Sequence, residues 1–228
     1  MKQYPITFMS KAQAATVCGS ISQTSKMPCK SSSLPTVACH TGFKMAKIAG
    51  SICSHCYADK GFYAMYANAI QPAQHARLDA VINAMSDPDL GALWVSAMVS
   101  HIGNDPYFRH HDSGDLQGIE HLRLICQVCE STPNTMHWLP TREYSMIKGY
   151  IEKYGDIPSN LTIRLSAMYP DVPVKMPKSL ENKGLQISNV HKNGKPLGLE
   201  CQAYKNEGKC GDCRECFYRD NVVSYKFH

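Results

Sequence analysis

The stretch that decides the fold lies at residues 107–115 and reads YFRHHDSGD. Its first five residues are typical of a short strand, and its last four have the composition of a tight turn. Helix-like and strand-like patterns alternate beyond the turn. They predict a helix over 118–129, a strand over 135–139, a helix over 143–154, and strands over 161–165 and 185–190. Such alternation is typical of a parallel α/β sheet.

Three more helices are predicted before this alternation, over 62–70, 72–85 and 90–102, with Pro72 in the first turn of the second helix. We expect a single domain over residues 1–228, with an α/β core at 62–198. Loop-rich segments at 26–61 and 199–228 flank that core because they lack sustained periodicity. The predicted fold class is α/β, a complete or partial TIM-barrel-like parallel barrel with a cysteine-rich metal-binding segment at each end.

The composition favours metal binding over disulfide bonding. The chain has eleven cysteines among 228 residues, an odd number. Residues Met1–Pro5 show neither an apolar core nor a cleavage site for export, and no stretch approaches the ~20 apolar residues of a membrane span. We therefore expect a cytoplasmic protein with no membrane partner and with reduced cysteines. Its formal charge of +5 would assist an encounter with a polyanion such as nucleic acid.

The carboxy-terminal cysteine group contains Cys201, Cys210, Cys213 and Cys216, the last three in the run C-G-D-C-R-E-C. Two successive two-residue gaps are close to the spacing that bacterial ferredoxins use to hold iron–sulfur clusters. Zinc is the competing metal, although zinc motifs usually consist of two separated C-x-x-C pairs. We predict iron–sulfur ligation by these four residues and keep zinc as the alternative.

The amino-terminal cysteine group contains Cys29, Cys39, Cys53 and Cys56, all within one irregular segment. Two interpretations are open at this point. Either all four thiolates close one site, or Cys39, Cys53 and Cys56 hold a cluster that leaves one iron open to substrate. Cys126 and Cys129 lie on a predicted helix among apolar residues, where packing in the core is the favoured interpretation.

Polar residues follow three predicted strands, at 112–115, 141–143 and 164–167. Ligands of parallel α/β folds gather at the carboxyl ends of strands, so we expect these residues to face one pocket. The candidate catalytic residues are Asp112, Asp115, Arg142 and Arg164, and the candidate cofactor-binding residues are Ser113, Gly114 and Ser166. In the alternative interpretation these side chains cap helices and pair with one another.

Several blocks of sequence carry a family resemblance. They lie at 26–29, 39–42, 50–61, 111–117, 138–143 and 164–167, followed by the closing cysteine loop. In this order they resemble the phage family called gene product eighty-eight, whose members are iron–sulfur-type proteins. The run Cys53-Ser54-His55-Cys56-Tyr57-Ala58 also resembles phage proteins related to radical S-adenosylmethionine enzymes, in which three cysteines hold a cluster with one open iron.

Together these features predict a phage iron–sulfur protein that acts as a redox or radical S-adenosylmethionine-like enzyme. The implied cofactors are one or two [4Fe-4S] clusters and S-adenosylmethionine, and the implied partners are an electron donor and a small-molecule or nucleic-acid substrate. The alternative is a zinc-stabilised nucleic-acid-binding module without catalysis, whose affinity would fall steeply with salt.

Overall fold

A computed structural model describes residues 5–227, apart from the side chain of Phe62. Residues 1–4, on which the predicted absence of an export signal partly rests, lie outside the described residues. The helices are α1 (Lys11–Cys18), α2 (His40–Met45), α3 (Gly61–Met65), α4 (Ala67–Ser86), α5 (Pro88–Ile102), α6 (Ile119–Ser131) and α7 (Tyr144–Tyr154). Within the described residues, none of these helices combines the length and apolar character that a membrane crossing requires.

Within residues 5–227, eight strands form one sheet. They are β1 (Ser22–Gln23), β2 (Lys30–Ser31), β3 (Tyr107–Arg109), β4 (Met136–Thr141), β5 (Leu161–Ser166), β6 (Gln186–His191), β7 (Leu199–Glu200) and β8 (Val223–Lys226). Their order is β1-β2-β3-β4-β5-β6-β8-β7, and every neighbouring pair is parallel except β1 with β2. The α/β class and the parallel sheet are confirmed. Among the described residues β1 and β7 do not pair, so the sheet is open and barrel closure stays a prediction.

The predicted elements agree with the observed ones except near Pro72. The helices expected over 62–70 and 72–85 are instead the short α3 and the long α4, which contains Pro72 in its interior. Proline has no N–H, so the Asn68 carbonyl loses its partner in the helix. Asn68 is exposed, and water can satisfy that carbonyl at low cost. The helix therefore continues through the proline rather than starting there.

The sheet has two differently covered faces because side chains alternate along a strand. On β5, Leu161, Ile163 and Leu165 are fully buried in the apolar core that includes helices α5, α6 and α7. The alternate residues Thr162 and Arg164 instead bind carbonyl groups of the carboxy-terminal segment. Helices thus cover one face, and the cysteine-rich end of the chain covers the other.

The turn after β3 packs tightly against the amino-terminal loop. Gly114 has φ +76°, and a Cβ placed there would lie 2.6 Å from Leu34 Cβ and 2.7 Å from the Leu34 carbonyl oxygen. The Leu34 N–H donates to the Ser113 carbonyl over 2.9 Å. This contact fixes the loop that leads to Cys39 against the carboxyl edge of the sheet.

We expect Gly114→Ala to lower the free energy of unfolding by about 3 kcal/mol or more, because it adds a steric clash to the cost of left-handed backbone. Gly103 is a matched control, since its φ is +60° and a methyl group added there would have no neighbouring atom within 4 Å. Gly103→Ala should cost only about 1–2 kcal/mol. Urea unfolding measures both variants, and equal losses would contradict the assigned contact.

Candidate metal centres

Three of the amino-terminal cysteines converge. Cys39 immediately precedes α2, Cys53 begins a turn of 3-10 helix, and Cys56 lies between that turn and the next one. A Cβ on Gly42 would lie 3.6 Å from Cys39 Sγ and 3.8 Å from Cys53 Sγ, so both sulfurs flank one point. Cys39 also interacts electrostatically with Cys53 and Cys56. We call these three residues the first cysteine group.

Hydrogen bonds hold the first cysteine group at the carboxyl edge of the sheet. The Glu143 carboxylate, directly after β4, accepts from Thr41 N over 2.6 Å and from Thr41 Oγ1 over 2.8 Å. Ile52 N donates to the Met168 carbonyl over 2.9 Å, just after β5. The segments on both sides of the thiols are therefore anchored where the predicted pocket residues lie.

Burial sets the protonation of the first cysteine group. It raises the pKa of the Cys39, Cys53 and Cys56 thiols, and Asp115 raises that of Cys39 further. The Arg142 guanidinium opposes the rise in pKa at Cys53 and Cys56, and the Ala58 N–H opposes it at Cys56. These thiols are consequently protonated at neutral pH, and a metal must displace their protons in order to bind.

Cys29 lies apart from the first cysteine group. Burial raises the pKa of Cys29 to about 12, and the Cys210 thiol raises it further, whereas the guanidinium groups of Arg109 and Arg214 and the Arg109 backbone N–H lower it. Cys29 thus lies near Cys210, whereas Cys53 and Cys56 lie near Cys39, and the set of metal ligands stays a prediction.

The carboxy-terminal thiols form a second cysteine group. Cys201, Cys210 and Cys213 interact electrostatically with one another, and Cys216 interacts with Cys201. The Ala203 N–H lowers the pKa of Cys201, against the rise that burial causes. Cys216 Sγ lies 3.1 Å from the Tyr225 hydroxyl. Cys201 therefore lies near the closely spaced Cys210, Cys213 and Cys216, and their role as metal ligands stays a prediction.

Arg164 supports the second cysteine group from strand β5, and all of its N–H groups bind protein carbonyls, so none is free for a ligand. Its side chain is fully buried on β5. It donates to the carbonyls of Cys216 (3.2 Å), Ile187 (3.2 Å), Asn221 (2.8 Å), Glu215 (2.7 Å) and Tyr218 (2.7 Å). All five guanidinium N–H groups are used in this way. We therefore assign Arg164 to support of the loop instead of to a carboxylate clamp.

The Asp112–Asp115 turn is also internally satisfied. Asp112 accepts from Ser31 Oγ over 3.0 Å and from Tyr63 OH over 3.2 Å. Ser113 Oγ donates to the Leu34 carbonyl and accepts from Gln74 Nε2, each over 2.8 Å. The buried polar atoms of the turn thus already hold partners on β2, α3, α4 and the loop of Leu34, which agrees with the alternative of mutual pairing.

Asp115 joins the loops that follow β3 and β4. Its carboxylate accepts from Leu116 N (2.8 Å), Thr141 Oγ1 (2.6 Å) and Arg142 N (2.9 Å). Burial raises its pKa to about 6, against the effect of these hydrogen bonds. Ser166 is likewise buried and accepts from Ser188 Oγ over 3.3 Å.

Arg142 is the predicted pocket residue with the clearest relation to the thiols. Its side chain is half-buried, and Nε donates to the Ala167 carbonyl over 2.9 Å. Its charge acts on Cys53 and Cys56. Among the predicted strand-end residues, Arg142 therefore places a cation beside the first cysteine group.

Arg109, which sequence reasoning missed, lies between the two groups. Its guanidinium stacks on Trp138 at 4.3 Å, and Nη2 donates over 3.3 Å to the hydroxyl of Tyr57, the residue after Cys56. Its charge also acts on Cys29, Cys210 and Cys216. No local pattern marks it, since it is one residue of an ordinary strand.

The family model described as gene product 88 matches residues 7–219, a span that contains both cysteine groups. The chain belongs to the phage gene product 88 family. No curated protein and no solved structure matches it.

This gene product 88 family member has one further candidate ligand group, His110, Cys129 and His137, whose ligand atoms lie within 4.8 Å of one another in the buried core. His137 lies between two polar partners, with Nδ1 3.1 Å from His110 Nε2 and Nε2 2.8 Å from Thr132 Oγ1. Burial lowers the pKa of His137 to about 3 and that of His110 well below its usual value, so both rings are neutral.

The hydrogen bonds of His110 and His137 can be assigned without a bound metal. The Thr132 hydroxyl donates its single proton to the Val128 carbonyl over 2.7 Å, so it accepts from His137 Nε2–H. His137 Nδ1 then accepts from His110 Nε2–H. The hydrogen bonds between these side chains have matching donors and acceptors, which indicates a structural role for His110 and His137.

We expect Cys129→Ala to leave the metal content of purified protein unchanged and to lower stability by about 1–2 kcal/mol, as the loss of a small buried side chain does. Elemental analysis and urea unfolding measure the two effects. A drop in bound metal that matches the drop in Cys53→Ala would contradict the structural interpretation.

A second prediction concerns Arg164. Lysine cannot reach the five carbonyls that the guanidinium binds, and each buried carbonyl left without a partner costs about 1–3 kcal/mol. We expect Arg164→Lys to lower the free energy of unfolding by about 3 kcal/mol or more. Arg214→Lys is the control, because Arg214 bonds only Gly211 and Cys213 carbonyls from the same loop. Equal losses in urea unfolding would contradict the support role.

Proposed function

We propose that this protein is an iron–sulfur enzyme of the host-cell cytoplasm, with a [4Fe-4S] cluster on Cys39, Cys53 and Cys56 that leaves one iron open. The observation that carries the proposal is the convergence of three cysteines, without Cys29, at the carboxyl edge of a parallel sheet. Substrate sites of α/β folds lie at that edge. A redox or radical S-adenosylmethionine-like reaction is the chemistry that such a site supports best.

The donor set fits an iron–sulfur cluster better than a single zinc ion. Thiolates are soft ligands that suit both. Tetrahedral zinc, with Zn–S near 2.3 Å, requires sulfurs about 3.8 Å apart. Among the described residues, the ligand atoms of His110, Cys129 and His137 all lie within 4.8 Å of one another, and those of no three cysteines do so. A cluster spreads its thiolates over different irons and suits the wider spacing.

The space beside the thiols also fits a bound group. Gly42 faces Cys39 and Cys53, where a Cβ would come within 2.9 Å of Cys39 Cβ. Any larger residue would therefore push the sulfurs out of position. When bound, the cluster supplies single electrons and an iron that coordinates a ligand.

The residues of the chain itself supply charge and orientation. Arg142 places a guanidinium near Cys53 and Cys56, with Nη1 and Nη2 beyond the Nε that bonds Ala167. A planar guanidinium binds carboxylates in a bidentate way, so Arg142 is the residue that would hold the carboxylate of S-adenosylmethionine or of a substrate. Asp115 and Glu143 hold the loops that carry Arg142 and Cys39.

We also infer a partial TIM-barrel-like scaffold. The helices lie on the outer face of the parallel sheet, as they do in such barrels. The carboxy-terminal segment occupies the face that would be the barrel interior, and Phe217 packs there against Trp138 with ring centroids 5.8 Å apart. An experimental structure in which β1 pairs with β7 would show that the sheet closes into a barrel.

The decisive experiment is purification without oxygen, followed by iron, zinc and sulfide analysis. We expect iron and sulfide in equal amounts, and a loss of about four irons per chain in Cys53→Ser. Cys18→Ser is the matched control, because Cys18 is buried near Arg77, away from both groups, and bonds the Ala14 carbonyl. Zinc without sulfide would overturn the proposal.

Electron paramagnetic resonance of the dithionite-reduced protein tests the open iron. Addition of S-adenosylmethionine should change the cluster signal in the unmodified protein and in Cys18→Ser. An unchanged signal in protein that contains both iron and sulfide would restrict the function to electron transfer.

A further inference from the structure

We infer that Cys29 is a ligand of the second cysteine group, so that this metal site is built from both ends of the chain. The inference rests on the proposed function and deepens it. Sequence position places Cys29 with Cys39, Cys53 and Cys56, but the sheet separates it from them.

Strand pairing moves Cys29 away from its sequence neighbours. Cys29 directly precedes β2, which pairs in parallel with β3 so that Lys30 lies opposite Phe108. This pairing places Arg109 opposite Ser31, close to Cys29, in agreement with its effect on the pKa of that thiol. The chain then leaves β2 for the carboxyl edge of the sheet, where Cys39 lies.

The carboxy-terminal loop docks beside the same residues. Cys210 N donates to the Lys26 carbonyl over 3.0 Å. Gly208, with φ +80°, packs on the Lys26 side chain so closely that a Cβ would lie 3.0 Å from Lys26 Nζ. These backbone contacts place Cys210 next to Cys29, in agreement with their electrostatic interaction.

The surroundings of Cys29 favour a thiolate. The Arg109 backbone N–H lowers the pKa of Cys29, as the Ala203 N–H lowers that of Cys201, against the rise that burial causes. N–H groups close to ligand sulfurs stabilise thiolates and tune clusters. The guanidinium groups of Arg109 and Arg214 supply positive charge at both Cys29 and Cys210, which offsets the negative charge of a thiolate-bound cluster.

The second group then contains five thiols, namely Cys29, Cys201, Cys210, Cys213 and Cys216. A [4Fe-4S] cluster takes four of them, and we assign Cys29 to one of the four places. The sequence interpretation with Cys29 in an amino-terminal site would instead leave four thiols at each end.

The test compares Cys29→Ser with two reference variants, Cys39→Ser for the first group and Cys210→Ser for the second. Each protein is purified without oxygen, analysed for iron and sulfide, and examined by electron paramagnetic resonance after reduction. We expect Cys29→Ser to lose about four irons and to give the spectrum of Cys210→Ser. A spectrum like that of Cys39→Ser, or full retention of iron and of both signals, would overturn the inference.

A second measurement needs no variant. Slow oxidation of the unmodified protein, with alkylation and mass spectrometry at intervals, reports when each thiol becomes reactive. Cys29 should become reactive together with Cys210 and Cys213, and reactivity in step with Cys39 would contradict its assignment. Absence of iron and sulfide from the unmodified protein would overturn both this inference and the proposed function. If the protein contains iron and sulfide but Cys29 becomes reactive at the same time as Cys39, only this inference is overturned.

Discussion

The arrangement of the cysteine-rich face depends on one buried cation, Arg164, and the backbone carbonyls that surround it. The carboxy-terminal segment has little regular secondary structure of its own, so its carbonyl groups would be buried without partners. Arg164 projects from a central strand and binds four of them, together with the Ile187 carbonyl of β6. A buried charge is tolerated when its hydrogen-bonding capacity is used. The thiols of the second group are therefore held by a polar arrangement rather than by apolar packing.

The two cysteine groups use the same sheet in different ways. The first lies at the carboxyl edge, where Asp115, Glu143 and the Met168 carbonyl anchor the loops. The second covers the face opposite the helices, where Arg164 and Thr162 bind its backbone. Arg109 reaches from the second group to Tyr57 beside the first. Strand β3, which carries Arg109, therefore contacts both cysteine-containing regions.

Local patterns sufficed for most of the secondary structure but not for the assembly of the sites. The strands and helices between residues 107 and 191 follow their periodicity within about two residues, because each pattern reflects which face meets the core. The short strands β7 and β8 lie in a segment without such periodicity and were not predicted. The helix expected to start at Pro72 begins earlier and contains the proline. The separation of Cys29 from Cys39 and the role of Arg164 arise from contacts with residues far along the chain, which spacing alone does not contain. Cys210, Cys213 and Cys216 could be grouped from the sequence because two residues separate each from the next.

The pairing of Lys26 with Cys210 has a consequence for biosynthesis. A ribosome releases residues 26–29 long before residues 201–216, so most of the neighbours that surround Cys29 do not exist until the whole sheet has been synthesised. Arg109, whose charge acts on Cys29, also emerges well after that residue does. The Cys29 thiol therefore lacks its neighbours in the nascent chain until β2 pairs with β3 and the carboxy-terminal loop docks on Lys26.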